Sequence, residues 1–306
     1  TPNESSAASD VYKRQINRRQ FAIDVAHFKW PTEYRYPDIT YKHGISFKCG
    51  DLTFNLHHAR GETDDHTWIH VPEEKLIAPG DLFIWAVPNG GNPQKVQRYI
   101  SDWADALDEM LKLDCEIFLP GHGFPILGKK RIEKALETTS KFLRSIEDQT
   151  LKLMNQGKSL NQVLHEVKIP NDLMELPWLT PIYDDPQFLI RMVWRRYGGW
   201  WDGEYDRLLP APRKDEALAW VELSNGIENI ILKALENLDK GNFKVAAQLI
   251  ETAFHADDDN KQMHDARAKI YREFSLKQSS SMGRNILNHA SMASAQGKRD
   301  LAQTED

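Results

Sequence analysis

The chain has 306 residues, of which 41% are hydrophobic and 27% charged, with a formal net charge of −6. That length suggests about two domains, and that composition is enough to build a real core. It argues against two kinds of partner: no apolar run approaches the roughly 20 residues that cross a bilayer, and an acidic balance does not suit a nucleic-acid surface, which is usually basic.

Residues 1–15, "TPNESSAASDVYKRQ", are polar and lack the apolar stretch of a signal peptide. They are expected to be a non-native tail, and the chain a piece of a longer protein. From residue 39 the pattern is β-rich. Ile45, Phe47, Leu52, Phe54 and Leu56 alternate with polar neighbours around a Cys49-Gly50-Asp51 turn, which predicts two half-buried strands. "TWIHVP" (67–72) and "LIAPGDLFIW" (76–85) predict two more. Ser101 is expected to cap a helix in which Trp103, Leu107, Met110 and Leu111 recur at helical spacing. "CEIFLPGHG" (115–123) reads as a buried strand running into a glycine-punctuated loop. Strands followed by a strand–helix–strand unit predict a mixed α/β layer structure. Cys49 and Cys115 form no disulfide framework and no CxxC knuckle, and read as free thiols.

After Lys129 the pattern is helical. A long helix is predicted over 129–157 and a shorter one over 158–170. A proline-rich arm covers 170–186, and a helix covers 186–197. An aromatic loop, "GGWWDGEYDRLLPAP", leads into helices from Lys214 to about Phe274. Within these, Gly241-Asn242-Phe243 and "ADDDN" punctuate a hairpin similar to a tetratricopeptide unit. One copy is too few for a solenoid, so a helical bundle is expected. The serine-rich end is expected to fray. The organisation read from this is residues 16–150 as an α/β domain, 151–285 as a helical domain and 286–306 as a disordered tail.

One stretch concentrates chemistry. "GETDDHTWIHVPEEKLIAPGDLF" (61–83) places Glu62, Asp64, Asp65, His66 and Asp81 close together, and "LPGHG" adds His122. A solvated loop is the plain reading of such acids. Carboxylate oxygen and imidazole nitrogen are also what zinc takes, and ligands far apart in sequence fit a site assembled from several loops. The loop "VPNGGNPQKVQRY" (87–99) follows Asp81 directly. Its Asn89, Asn92, Lys95 and Arg98 suit an oxyanion by charge-assisted hydrogen bonds.

The grammar "GETDDH…GD-L-F…PGHG" resembles the metallo-β-lactamase superfamily. The block "PIYDDPQFLIRMVWRRYGGWWDGEYDRLLPAP" (181–212) closely resembles the start of the alkylsulfatase dimerisation domain. Together the resemblance covers about residues 39–285. It implies the C-terminal half of an αββα sandwich followed by an all-α dimerisation domain. It also implies a zinc-dependent hydrolase that cleaves alkyl sulfate esters with a metal-bridging hydroxide, two zinc ions per full-length subunit and a homodimer. On this resemblance Glu62, Asp81 and His122 are metal ligands, Asp81 bridging. Asp65 is a catalytic candidate for positioning water, and His66 and Asp64 support the ligands from behind. Tyr197, Trp200 and Trp201 are candidates for the dimer interface, with the wall of an apolar alkyl channel and plain core packing as the alternatives. Two departures stand out. The alkylsulfatases usually carry Glu where this chain has Asp81, which keeps thioester, lactone or phosphoester substrates open. The superfamily's first metal motif, HxHxDH, is absent among the eleven histidines, so the chain alone is expected to be inactive. A non-catalytic dimerisation module is the remaining alternative. The compartment, cytoplasmic or periplasmic/secreted, is left open.

Overall fold

A computed structural model describes residues 35–300; the expected non-native tail, 1–15, lies outside the described residues. The chain divides into two compact units, residues 33–205 and a helical unit that begins at Asp206. The expected boundary near residue 150 is therefore not where the compact units part. The long helix after Lys129 and the helix after Pro186 bury their apolar faces in the same core as the sheet.

The first unit is built on a six-stranded sheet whose strands follow chain order. These are β1 (Gly44–Cys49), β2 (Leu52–Ala59), β3 (His66–Val71), β4 (Leu76–Ile84), β5 (Ile117–His122) and β6 (Ile126–Leu127). Four of the five pairings are antiparallel; β4 and β5 run parallel. A parallel neighbour cannot be reached by a tight turn, and α1 (Ile100–Met110) makes the crossover. Its Trp103, Leu107 and Met110 are fully buried with Phe83 and Phe118 of the sheet. Helix α2 (Lys129–Asn155) adds Ile132, Leu136, Phe142, Leu143 and Ile146 at helical spacing to that core.

Ser101 was expected to cap α1, but Tyr99 holds that position with no side-chain bond. Ser101 lies inside the helix, where its hydroxyl accepts from Arg196 at 2.5 Å. The next helix, α3 (Leu160–Glu166), has a reciprocal cap between Ser159 and Gln162. Short α4 (Asn171–Met174) follows, and α5 (Pro186–Gly198) starts on Asp185, whose carboxylate accepts from the Gln187 amide at 2.8 Å.

The second unit is helical among its described residues: α6 (Arg213–Leu223), α7 (Ile227–Asp239), α8 (Phe243–Ala256), α9 (Lys261–Leu276) and α10 (Ser281–Ala295). Ile230, Ile231, Ile250, Phe254, Met263 and Ile270 form its own apolar core. The break at Gly241-Asn242 separates α7 from α8 as the sequence predicts. Residues 286–295, part of the expected disordered tail, lie in α10. Arg267 of α9 reaches the Ala290 carbonyl at 3.2 Å and the Ser294 hydroxyl at 2.8 Å. These buried bonds order a segment whose composition alone reads as a tail. Residues 301–306 lie outside the described residues. No described helix is long and apolar enough to cross a membrane.

Candidate functional site

The parallel pairing of β4 and β5 decides what Asp81 meets. Strand β5 carries His122 at its end, and His122 Nδ1 donates to Asp81 Oδ1 at 2.7 Å. The Asp81 side chain is 28% exposed and His122 74%, so the pair opens to solvent. The flanking glycines permit this approach. A Cβ on Gly121 would sit 2.1 Å from Asp81 Oδ1, and one on Gly123 would sit 2.1 Å from the Trp85 ring. Gly123 also has φ +99°, a conformation other residues rarely adopt.

The turn between β2 and β3 carries Glu62. Its Oε1 accepts from Asn89 Nδ2 at 2.6 Å, and its Oε2 accepts from Arg98 at 3.4 Å. Burial is the largest influence on the Glu62 carboxyl and raises it above the ordinary range, against the pull of Arg98 and Asn89. Asp81 and His122 are close enough for their charges to act on it. The structure thus gathers Glu62, Asp81, His122, Asn89 and Arg98 from the β2–β3 turn, β4, β5 and the 87–99 loop.

His66 stands behind Asp81. Its Nε2 donates to the Pro79 carbonyl at 2.9 Å, and a Cβ on Gly80 would meet that nitrogen at 2.9 Å. The ring therefore braces the backbone that presents Asp81. Asp64 and Asp65 are exposed on the turn, and the Asp64 carbonyl accepts from His58 Nε2 at 2.6 Å. In the loop, Asn92 is buried and its Oδ1 accepts from the Gln94 amide at 3.0 Å, whereas Lys95 is exposed. Arg98 is buried and its guanidinium also donates to the Asn89 carbonyl. Tyr197 donates its hydroxyl to Glu147 at 2.7 Å, Trp200 is 76% exposed, and Trp201 donates to the Glu204 carbonyl at 2.9 Å. His57 stacks on Trp68 at 4.0 Å within the sheet, where burial lowers its basicity.

The residues present satisfy a zinc site in kind and not in number. Imidazole nitrogen and carboxylate oxygen are suitable donors, but zinc is held by three or four protein ligands. Among the described residues no three His, Cys, Asp or Glu side chains form a metal-holding group. Asp81 and His122 are turned towards each other, and Glu62 is turned towards Arg98.

Asp184 was not anticipated. It is fully buried and accepts from the Gly91 amide at 2.7 Å, which ties the 87–99 loop to the start of α5. Burial pushes its carboxyl up to about 7. The signal in the sequence is Asp184-Asp185-Pro186. One aspartate suffices to cap a helix, so the other is left for a different task.

The described fold is similar to that of a solved alkylsulfatase. The stereoselective inverting sec-alkylsulfatase Pisa1 from Pseudomonas sp. matches with a TM-score of 0.81 and 23% identity, over 86% of this chain and 42% of that one. Residues 159–297 match the family model for alkyl sulfatase dimerisation. Linear primary-alkylsulfatase of Pseudomonas sp. (strain ATCC 19151) is 25% identical over 269 residues, 87% of this chain and 50% of that protein. Alkyl/aryl-sulfatase BDS1 of Saccharomyces cerevisiae is 27% identical over 183 residues, 60% of this chain and 28% of that protein. The chain is similar to these alkylsulfatases, and the similarity of residues 159–297 is to the alkyl sulfatase dimerisation family. It spans half the length of the primary-alkylsulfatase and a smaller share of the yeast relative.

Proposed function

We propose that the chain works in the hydrolysis of alkyl sulfate esters, as a homodimer whose active centre uses zinc. The observation that carries this reading is the Asp81–His122 pair, presented on neighbouring strands of a chain related to alkylsulfatases. A metal held in such a centre would supply Lewis-acid chemistry and activate water for attack. Asp81 and His122 are the donors that this chain offers, and two ions per subunit require further donors from outside the described residues.

The chain's own residues have definite work in this reading. Asp81 holds His122 by Nδ1 and leaves the other ring nitrogen exposed, an arrangement suited to orienting a ligand or relaying a proton. His66 fixes the backbone at Gly80, so Asp81 cannot drift along β4. The 87–99 loop brings Asn89 and Arg98 beside these acids, and exposed Lys95 adds a mobile positive charge for an anionic headgroup. Asp65, exposed on the turn, is the candidate for positioning water.

The dimer part of the proposal rests on the 159–297 match and on apolar surface. In the helical unit, Leu209, Leu218, Trp220 and Leu223 are exposed, and α6 buries only Ala217. In the first unit, exposed Trp200 is the candidate contact, with Tyr197 and Trp201 beside it.

The test is zinc content together with inorganic sulfate release from dodecyl sulfate, wild type against Asp81→Ala. Zinc-dependent release that the variant loses supports the reading. Release that survives chelation or Asp81→Ala overturns the site. Turnover of a thioester or lactone without sulfate release moves the site to the second enzyme reading, which Asp81 in place of the usual Glu keeps open. A chain with neither zinc nor turnover leaves the dimerising helical half as the working part.

A further inference from the structure

We infer that Glu62 holds the 87–99 loop in place and is not a metal donor. This role goes beyond the sulfate-ester reading and stands whether or not that reading holds. Both carboxylate oxygens of Glu62 are engaged, Oε1 by Asn89 at 2.6 Å and Oε2 by Arg98 at 3.4 Å. Arg98 is only 5% exposed, and Glu62 is the carboxylate that pairs with it directly, with Asp184 and Asp81 near enough for their charges to act on it. Were Glu62 to turn towards an ion, a guanidinium would be left in the interior without that partner. Breaking one side of a buried pair is strongly unfavourable. The position of Arg98 also gives an acid at this turn its use: the carboxylate neutralises the guanidinium and accepts from Asn89.

The loop has a second set of ties, to the segment around α5. Asp184 accepts from the Gly91 amide at 2.7 Å. Gly91 is pressed so closely on α5 that a Cβ would lie 2.3 Å from the Leu189 amide nitrogen. Gln97 donates to the Met192 carbonyl at 2.9 Å. Glu62 is thus the tie from the β2–β3 turn, and Asp184 is the tie from α5. Between them stands Lys95, exposed in a loop that is otherwise pinned. Arg98 is close enough to Asp81 for their charges to interact, so the latch sets where the loop stands beside the Asp81–His122 pair. Glu62 is in this sense a positioning residue.

The experiment is limited trypsin digestion of the 306-residue chain, with cleavage after Lys95 mapped by mass spectrometry, with and without zinc. Glu62→Gln keeps the size and removes the charge. It is expected to speed cleavage after Lys95 by about tenfold or more, because local opening controls access to the bond. Arg98→Met is expected to do the same, and the double variant is expected to be no faster than either alone. Cleavage of Glu62→Gln at the wild-type rate overturns the inference. So does zinc that slows cleavage in wild type and fails to do so in Glu62→Gln, because that outcome makes Glu62 a ligand. Acceleration at every lysine and arginine marks a variant that has unfolded. Asn89→Ala, which removes one bond from Glu62, then takes its place with the same expectation and the same overturning result. Sulfate release is not used, so failure here is separate from failure of the hydrolase reading.

Discussion

His122 donates from Nδ1 to the Asp81 carboxylate at 2.7 Å, although 41 residues separate the two in sequence. The parallel pairing of β4 and β5 brings them together, and Gly121 leaves the room. A methyl group at Gly121 would overlap Asp81 Oδ1 at 2.1 Å and the Gly80 carbonyl carbon at 2.8 Å.

Gly121→Ala is therefore expected to lower the unfolding free energy by about 1–3 kcal/mol, the usual range for an overpacked site. It should also separate Asp81 from His122. Urea unfolding checks the first effect, and the His122 ring resonances in an NMR titration check the second. Unchanged resonances would mean that β5 accommodates the methyl group without moving the pair.

Asp184 gives the chain a pH dependence with a definite sign. Its carboxyl stands at about 7 in the fold, against an ordinary 3.8, and burial is the main cause. Between those values the folded chain keeps a proton that the unfolded chain releases. The stability from this group is fully present below pH 3.8 and is lost as pH rises through about 7. Asp184→Asn keeps an acceptor for the Gly91 amide without a charge. The variant is expected to lose less stability than wild type between pH 5 and pH 8 (about three units of span around the shifted value). Urea midpoints at both pH values decide it, and parallel slopes in the two proteins would sink the assignment.

Arg267 ties three helices of the second unit. Its Nε donates to Glu251 of α8 at 2.6 Å, and its Nη1 reaches Ala290 and Ser294 of α10. Arg267→Met removes the ion-pair partner of Glu251 and two of the bonds that hold α10. A loss of about 2–3 kcal/mol is expected. Hydrogen exchange should show residues 281–295 losing protection first. A uniform loss across the helical unit would argue that α10 is held by packing instead.

The helical unit exposes Leu223 at the end of α6 beside Leu218 and Trp220. If that surface is the dimer contact, Leu223→Glu places a charge in it. Light scattering should then find monomers at concentrations where wild type is dimeric, with helical content unchanged. A variant that stays dimeric moves the contact to another face, and Trp200→Ala becomes the next substitution to measure.

Much of this protein is legible along the chain, because period-2 and period-3.6 patterns are local. The alternation from Ile45 to Leu56 marks β1 and β2, and Trp103, Leu107 and Met110 mark the buried face of α1. The Glu62, Asp81 and His122 positions stand out through the resemblance of "GETDDH…GD-L-F…PGHG" to the metallo-β-lactamase superfamily. Other features were not legible. Ser101 has the right type for a cap but is claimed by Arg196 from 95 residues away. Residues 286–295 read as part of a tail by composition, yet they lie in α10, which Arg267 bonds from α9. Asp184 looks like a second capping residue until the fold brings Gly91 to it.

By itself the sequence determined the identity and order of the elements and the residue types of the site, since hydrophobic period and turn chemistry act over a few neighbours. Only the tertiary structure decided which charges face which. Asp81 could have met Glu62 or His122, and Arg98 could have met solvent. Parallel pairing of β4 with β5 gave Asp81 to His122. Burial of Arg98 gave it Glu62, because a guanidinium removed from water is stabilised by a carboxylate beside it.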